Sequence, residues 1–183
     1  MAGIQFGRII VQCVQRRFVI PLKSKKGMGM RLMNGTYEDR QAIQTLFDSL
    51  SKAWGEGNGR AYAECFTDDA DYVTFSGQHL KGRKEIDEVH QKLWDGVLRD
   101  SKLVAGPTPT QLRFLTPELA IAQATGAVQL RFHKKPPTGR FSINTNVLIK
   151  VNGEWKISAF HNCRIQRPGW IQRLMMRSKS KSS

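Results

Sequence analysis

Apolar and polar positions alternate along this chain with two distinct periods, helical for most of the first half and strand-like in the second. Ile43, Leu46, Phe47, Leu50 and Trp54 follow one another at offsets of 3, 4, 7 and 11, which is one stripe of an amphipathic helix. Thr36 with Asp39 supplies a reciprocal N-terminal cap, and Gly55, Gly57, Asn58 and Gly59 end the helix. A short second helix fits Arg60–Phe66, with Tyr62, Ala63 and Phe66 on its apolar side. Asp68-Asp69 turns the chain into a strand over Ala70–Phe75, Ser76-Gly77 turns it again, and Gln78–Leu80 returns. A third helix follows Gly82 and Arg83, with Ile86, Val89, His90, Leu93, Trp94 and Val97 on one face.

Beyond that helix the texture is β. Four long runs lie near Lys102–Phe114, Leu119–His133, Arg140–Asn152 and Glu154–Arg164. Thr116-Pro117, Pro136-Pro137-Thr138-Gly139 and Asn152-Gly153 separate them, and the last pair is a strong tight-hairpin signal. Helices first and a meander of long strands afterwards predicts an α+β fold, with three N-terminal helices packed on one face of a curved antiparallel sheet.

Charge changes the picture only at the ends. The 183 residues carry 29 Lys+Arg and 15 Asp+Glu, a formal net charge of +14. Seven basic residues and no acid lie in 1–36, and six basic residues and no acid lie in 164–183. The body keeps 16 basic against all 15 acidic residues, so its net charge is only +1. A specific nucleic-acid face, which needs basic residues clustered on the domain itself, is therefore not expected. No apolar run approaches the roughly 18 residues of a spanning helix. The three cysteines are far apart, without CxxC or HxxxH, so neither a disulfide framework nor a metal site is expected and a reducing compartment is the default.

The organisation expected is a basic extension over 1–35, one domain over 36–165 and a basic tail over 166–183. Phe6, Ile9, Ile10, Cys13, Val14 and Phe18 recur at helical spacing opposite Arg8, Gln12, Gln15 and Arg16. Three readings stand for this segment: an appendage without a fold of its own, an organelle transit peptide, or a helix lying on an anionic membrane surface. The first is favoured, which makes the location cytoplasmic, with organelle targeting by residues 1–30 left open. Trp170, Ile171, Leu174 and Met175 suggest a docked helical turn before the polar end, with membrane-surface contact by the tails as the functional alternative.

The order helix, helix, short hairpin, helix and four long strands resembles the nuclear transport factor 2-like cone. The stretch AECFTDDADYVTFSGQHLKGRKEIDEVHQKLW resembles the opening motif of the SnoaL-like group, and EWKISAFHNCR the final-strand motif of its SgcJ/EcaC subgroup. The resemblance covers residues 37–165 and neither tail. It implies a cone whose sheet curls around an apolar cavity that the helices close, suited to a small hydrophobic or aromatic ligand. It does not fix an activity, because the superfamily holds isomerases, cyclases, dehydratases and plain binding modules. An oxidoreductase reading has no support: no GxGxxG follows a strand and no redox cysteine pair is present, and no cofactor is expected.

Alternation places Ala70, Tyr72 and Thr74 on one face of the first strand. In the last strand it groups Trp155, Ile157, Ala159, His161 and Cys163, which turns His161 inward and Phe160 outward. His90 rides the apolar stripe of the third helix. The candidate catalytic groups are thus His161, His90 and Tyr72, and the candidate ligand-binding residues are Trp54, Tyr72, Thr74, Trp94, Trp155, His161 and Asn162. Thr74 stands where a ketosteroid-isomerase-like member needs a carboxylate, which counts against that chemistry. Asn144 and Asn146 share a face that either binds a ligand carbonyl or lines the exposed side. A small-molecule-binding module is favoured over a lyase, isomerase or cyclase using histidine acid–base chemistry. That second reading requires both imidazoles to reach one cavity. A homodimer through the outer sheet face, with Phe160 in the contact, is the expected assembly.

Overall fold

A computed structural model describes residues 35–135, 137, 141–166 and 169. The expectations for residues 1–34 and for the turn and polar end after Gly169 lie outside these described residues.

The first helix, α1 (Tyr37–Glu56), begins as the sequence dictates. Thr36 accepts from the Asp39 backbone N–H, and the Asp39 carboxylate accepts from the Thr36 N–H. Gly57, at φ 63°, closes it in the left-handed region. The second helix, α2 (Gly59–Ala63), is shorter than expected, and β1 (Phe66–Val73) starts earlier. Next come β2 (His79–Lys81) and α3 (Gly82–Asp95), which buries Ile86, His90 and Trp94.

The remaining strands are β3 (Lys102–Ala105), β4 (Gln111–Thr116), β5 (Leu119–Gln129), β6 (Ser142–Val151) and β7 (Glu154–Arg164). The run expected over Lys102–Phe114 is therefore two strands. Pro107 and Pro109 lack the N–H that a ladder needs, so residues 106–110 loop out. The chain then returns to the same edge of β5, with Ala105 opposite Gly126 and Gln111 opposite Gln123. The β6–β7 hairpin turns at Asn152 and Gly153, both at positive φ (50° and 86°), as a two-residue primed turn requires.

The seven strands form one curved, unclosed sheet in the order β2-β1-β7-β6-β5-β3, with β4 also on β5. The β1–β7 pair is parallel and the other pairings are antiparallel. The helices pack on the concave face, and the core runs from Ile43, Phe47 and Trp54 through Tyr62, Phe66 and Ile86 to Leu148 and Ile157. Each fully buried aliphatic side chain contributes about 1.5–3 kcal/mol. No helix among the described residues is long and apolar enough to cross a membrane.

One irregularity decides what the concave face carries. Val147 pairs with Ala159, but the next residue, Leu148, pairs with Ile157. Ser158 is the extra residue of a β-bulge on β7. Because side chains alternate with period two, one extra residue reverses every face beyond it. Trp155 and Ile157 point inward before the bulge, and Phe160, Asn162 and Arg164 point inward after it.

Candidate functional site

The concave face and the helices enclose a cavity of about 380 Å³. An engineered cavity of roughly 150 Å³ holds one benzene, so this one has room for a substituted or fused ring. Its walls are largely apolar, with Phe47, Leu50, Leu93, Leu103, Val128 and Phe160 contributing. The rows across the sheet follow from register. Ala122, Asn146 and Phe160 form one row, and Ala124, Asn144 and Asn162 the next. Gly126, Ser142 and Arg164 make the row at the open end, where Arg164 is exposed. Small residues on β5 leave the space that the side chains of β6 and β7 face.

At the base sit three polar aromatic side chains, each 5% exposed or less: Tyr62, Tyr72 and His90. Tyr72 is carried by β1 and stacks on Phe160, with centroids 4.4 Å apart. His90 Nδ1 lies 2.8 Å from the Ile86 carbonyl one helical turn back. A carbonyl only accepts, so Nδ1 carries the hydrogen and Nε2 presents its lone pair. Tyr72 Oη, 3.2 Å away, donates to that lone pair. Tyr62 Oη, 3.3 Å from Tyr72 Oη, is left to donate to it. The Ile86 carbonyl thereby sets the direction of a three-member chain of hydrogen bonds.

Burial keeps this chain neutral. It lowers the His90 pKa from the ordinary 6.5, against a smaller opposing effect of the Ile86 hydrogen bond. It raises Tyr72 to about 12, with the Tyr62 hydrogen bond pulling slightly the other way. Tyr62 is pushed well above the ordinary range, first by burial and then by Tyr72. A tyrosine driven up and a histidine driven down move away from proton exchange at neutral pH. As it stands, the pair is a hydrogen-bonding fixture, Tyr72 donating and His90 accepting.

Of the residues expected at the site, His90, Tyr72, Thr74, Trp54 and Asn162 line the cavity. His161 does not. It is exposed on the outer face, because the Ser158 bulge reverses the alternation from which its inward direction was read. The two imidazoles therefore face different spaces, and a mechanism pairing His161 with His90 is excluded by its own requirement. Phe160 moves the opposite way, off the outer face and onto Tyr72, so it is not available to a second copy there.

Trp94 and Trp155 are buried behind the wall rather than in it. Trp94 packs edge-on against Trp54 and Tyr62, with centroids 5.2 and 5.4 Å away. Trp155, at the start of β7, donates its indole N–H to Asp39 at 3.0 Å, far from the strand end where the cavity opens. Trp54 lines the cavity with its ring while its N–H is held by Ser101 at 3.1 Å.

Sequence reasoning left Asn144 and Asn146 undecided; both line the cavity, and Asn146 Nδ2 donates to Asn144 Oδ1 at 2.9 Å. It missed Arg164. Phe160 was the available signal: as the largest apolar side chain in its half of β7, it fixes the inward parity there, and Arg164 follows four residues on. Among the described residues no group of His, Cys, Asp and Glu is placed to hold a metal.

With this geometry in view, the likeness to known proteins is specific in fold. The profile of the SnoaL-like domain family matches residues 35–161. A domain of unknown function with a cystatin-like fold from Nostoc punctiforme is 29% identical. It superposes with a TM-score of 0.65 over 81% of this chain and 89% of that one. A nuclear transport factor 2-like protein from Novosphingobium aromaticivorans is 19% identical, with a TM-score of 0.58 over 76% of this chain and 89% of that one. A candidate scytalone dehydratase from the same organism is 15% identical, with a TM-score of 0.58 over 70% and 85%. The last two likenesses carry the fold alone. No curated protein matches the chain.

Proposed function

The chain belongs to the SnoaL-like domain family of the nuclear transport factor 2-like superfamily, and from that premise we propose that it is a small-molecule-binding cone. Its ligand is a compact hydrophobic or aromatic molecule with a few polar substituents. The observation that carries this reading is a largely apolar cavity of about 380 Å³ with a few placed polar groups: the Tyr72–His90 pair at the base, the asparagines of one wall, and Ser142 and Arg164 at the open end. That is the composition of a site that excludes water and orients a ring. The SgcJ/EcaC subgroup remains the finer assignment that the last-strand motif supports. Residues 36–165 are the cone domain, with basic extensions on either side.

The test is a fluorescence titration with naphthol as probe. Saturable binding is expected. Ala124→Trp, which places a large ring in the cavity opposite Asn144, is expected to abolish it while the circular dichroism spectrum stays unchanged. Equal binding by the variant sinks the proposal.

A second reading is a cofactor-independent lyase, isomerase or cyclase, favoured by the His90 Nε2 lone pair beside the Tyr72 hydroxyl. It needs a ligand that reverses the opposed pKa displacements described above, which is why binding is preferred. A second copy of the chain remains the proposed partner for the outer sheet face, on Ile143, 40% exposed, instead of Phe160. A strictly monomeric protein in sedimentation velocity rejects that assembly.

A further inference from the structure

The polar groups near the open end of the cavity define the ligand more narrowly, on the premise that the cavity binds a small molecule at all. Arg164 is the charged end of an otherwise uncharged lining. Among the described residues no Asp or Glu lines the cavity and no ion pair includes Arg164. Two residues back on the same face, roughly 6.8 Å along the strand, Asn162 also lines the cavity. Its side-chain oxygen is buried with no hydrogen-bond partner. A buried acceptor left unpaired is costly, and a donor on a ligand removes that cost when the amide turns its oxygen to the cavity that the residue lines.

We propose that the cavity takes an aromatic or alicyclic carboxylic acid, its carboxylate held by the Arg164 guanidinium and a hydroxyl or amine hydrogen donated to Asn162. A guanidinium presents a planar fork that matches a carboxylate with two parallel hydrogen bonds. One guanidinium balances one negative charge, which fits a carboxylate better than a phosphate carrying about −1.5 to −2. The apolar body then lies against Leu103, Val128 and Phe160, and its far end reaches towards Tyr72.

The experiment compares a hydroxynaphthoate, with its hydroxyl on the ring far from the carboxylate, against its methyl ester. Both are titrated by calorimetry into the wild-type protein and into R164Q. The acid is expected to bind the wild type more tightly than the ester. R164Q is expected to weaken the acid by about tenfold to a hundredfold and leave the ester unchanged. Equal binding of acid and ester, or equal weakening of both by R164Q, overturns the anion anchor while leaving the cavity reading intact. Binding of neither overturns the cavity reading and this inference with it.

Wild-type protein alone supplies a second arm. The acid's advantage must shrink as ionic strength rises while the ester's affinity stays put, and a salt-independent advantage contradicts the role given to Arg164. For Asn162, N162L is expected to remove the preference for hydroxylated over plain naphthoate. Equal weakening of the two would reject the donor contact.

Discussion

Deletion of Ser158 is expected to unfold the cone or lower its melting temperature by roughly 10 °C or more. Ser158 is the extra residue that lets Trp155 and Ile157 face inward on one side of it and Phe160, Asn162 and Arg164 on the other. Without it the strand alternates regularly, and whichever half keeps its register, the other turns over. If the second half turns, Phe160 leaves Tyr72 for solvent and His161 and Cys163 face the apolar cavity. Removing a fully buried phenylalanine from its packing costs about 3–5 kcal/mol; Phe160 is partly buried, which places its loss at the lower end, and about 1 kcal/mol shifts the melting temperature of a domain this size by roughly 3–6 °C. Ser158→Ala keeps the chain length and the bulge, so its expected cost is within about 1 kcal/mol. Calorimetric melting of the two variants separates the cases. A deletion variant that melts with the wild type means that the bulge does not set the face of β7.

Asp39→Ala is the substitution with the next largest expected effect. The Asp39 carboxylate accepts from the Thr36 N–H and hydroxyl at the start of α1, accepts from Trp155, and pairs with Lys150, joining the first helix to the β6–β7 hairpin. Truncation strands a half-buried ammonium and an indole N–H without an acceptor. Breaking a fully buried pair from one side costs about 3–5 kcal/mol; Lys150 is partly exposed, which places this one at the lower end, and Thr36 keeps its bond from the residue 39 N–H, so only the reciprocal half of the capping box is lost. Replacing the pair together, as Asp39→Leu with Lys150→Met, is expected to recover part of this, because no charge is left unpaired.

The acid limb of stability carries the same signature. Burial by itself would raise the Asp39 pKa, but hydrogen bonds from Lys150, Trp155 and Thr36 outweigh it and hold the carboxyl at about 2, against the ordinary 3.8. The folded state thus binds the proton less readily than the unfolded chain. Its stabilisation is complete above about 3.8 and is lost as pH falls towards 2. Urea unfolding between pH 4 and pH 2 should show a decline in the wild type that Asp39→Asn flattens. An equal decline in both would remove Asp39 from the acid limb.

These cases also show what the chain discloses by itself. The Thr36–Asp39 cap, the α3 stripe that carries His90, and the Asn152-Gly153 hairpin are local, and each is written in a few adjacent residues. The β7 bulge is not. Trp155 and Ile157 announce one parity and Phe160 the other, and Ser158-Ala159 between them are too small to reveal where the phase changes. Reading the strand from its first half turned His161 inward and hid Arg164. The long run after α3 was legible as β by composition, but its split into β3 and β4 lies in Pro107 and Pro109, whose missing donors count only once both halves sit on one edge of β5. Trp94 and Trp155 have the composition of cavity wall; their seats behind it depend on Tyr62, Trp54 and Asp39, contacts between distant segments that periodicity does not encode.

The central claim is that the concave cavity floored by Tyr72 and His90 is where this protein meets a small molecule. The most direct measurement is the location of bound naphthol, followed by heteronuclear NMR of the full chain. The account predicts saturable shifts at the Trp54 indole and at the side-chain amides of Asn144, Asn146 and Asn162, with the Trp155 indole and His161 unmoved. Shifts confined to the outer face around His161 and Ile143, or none at saturating probe, would contradict it.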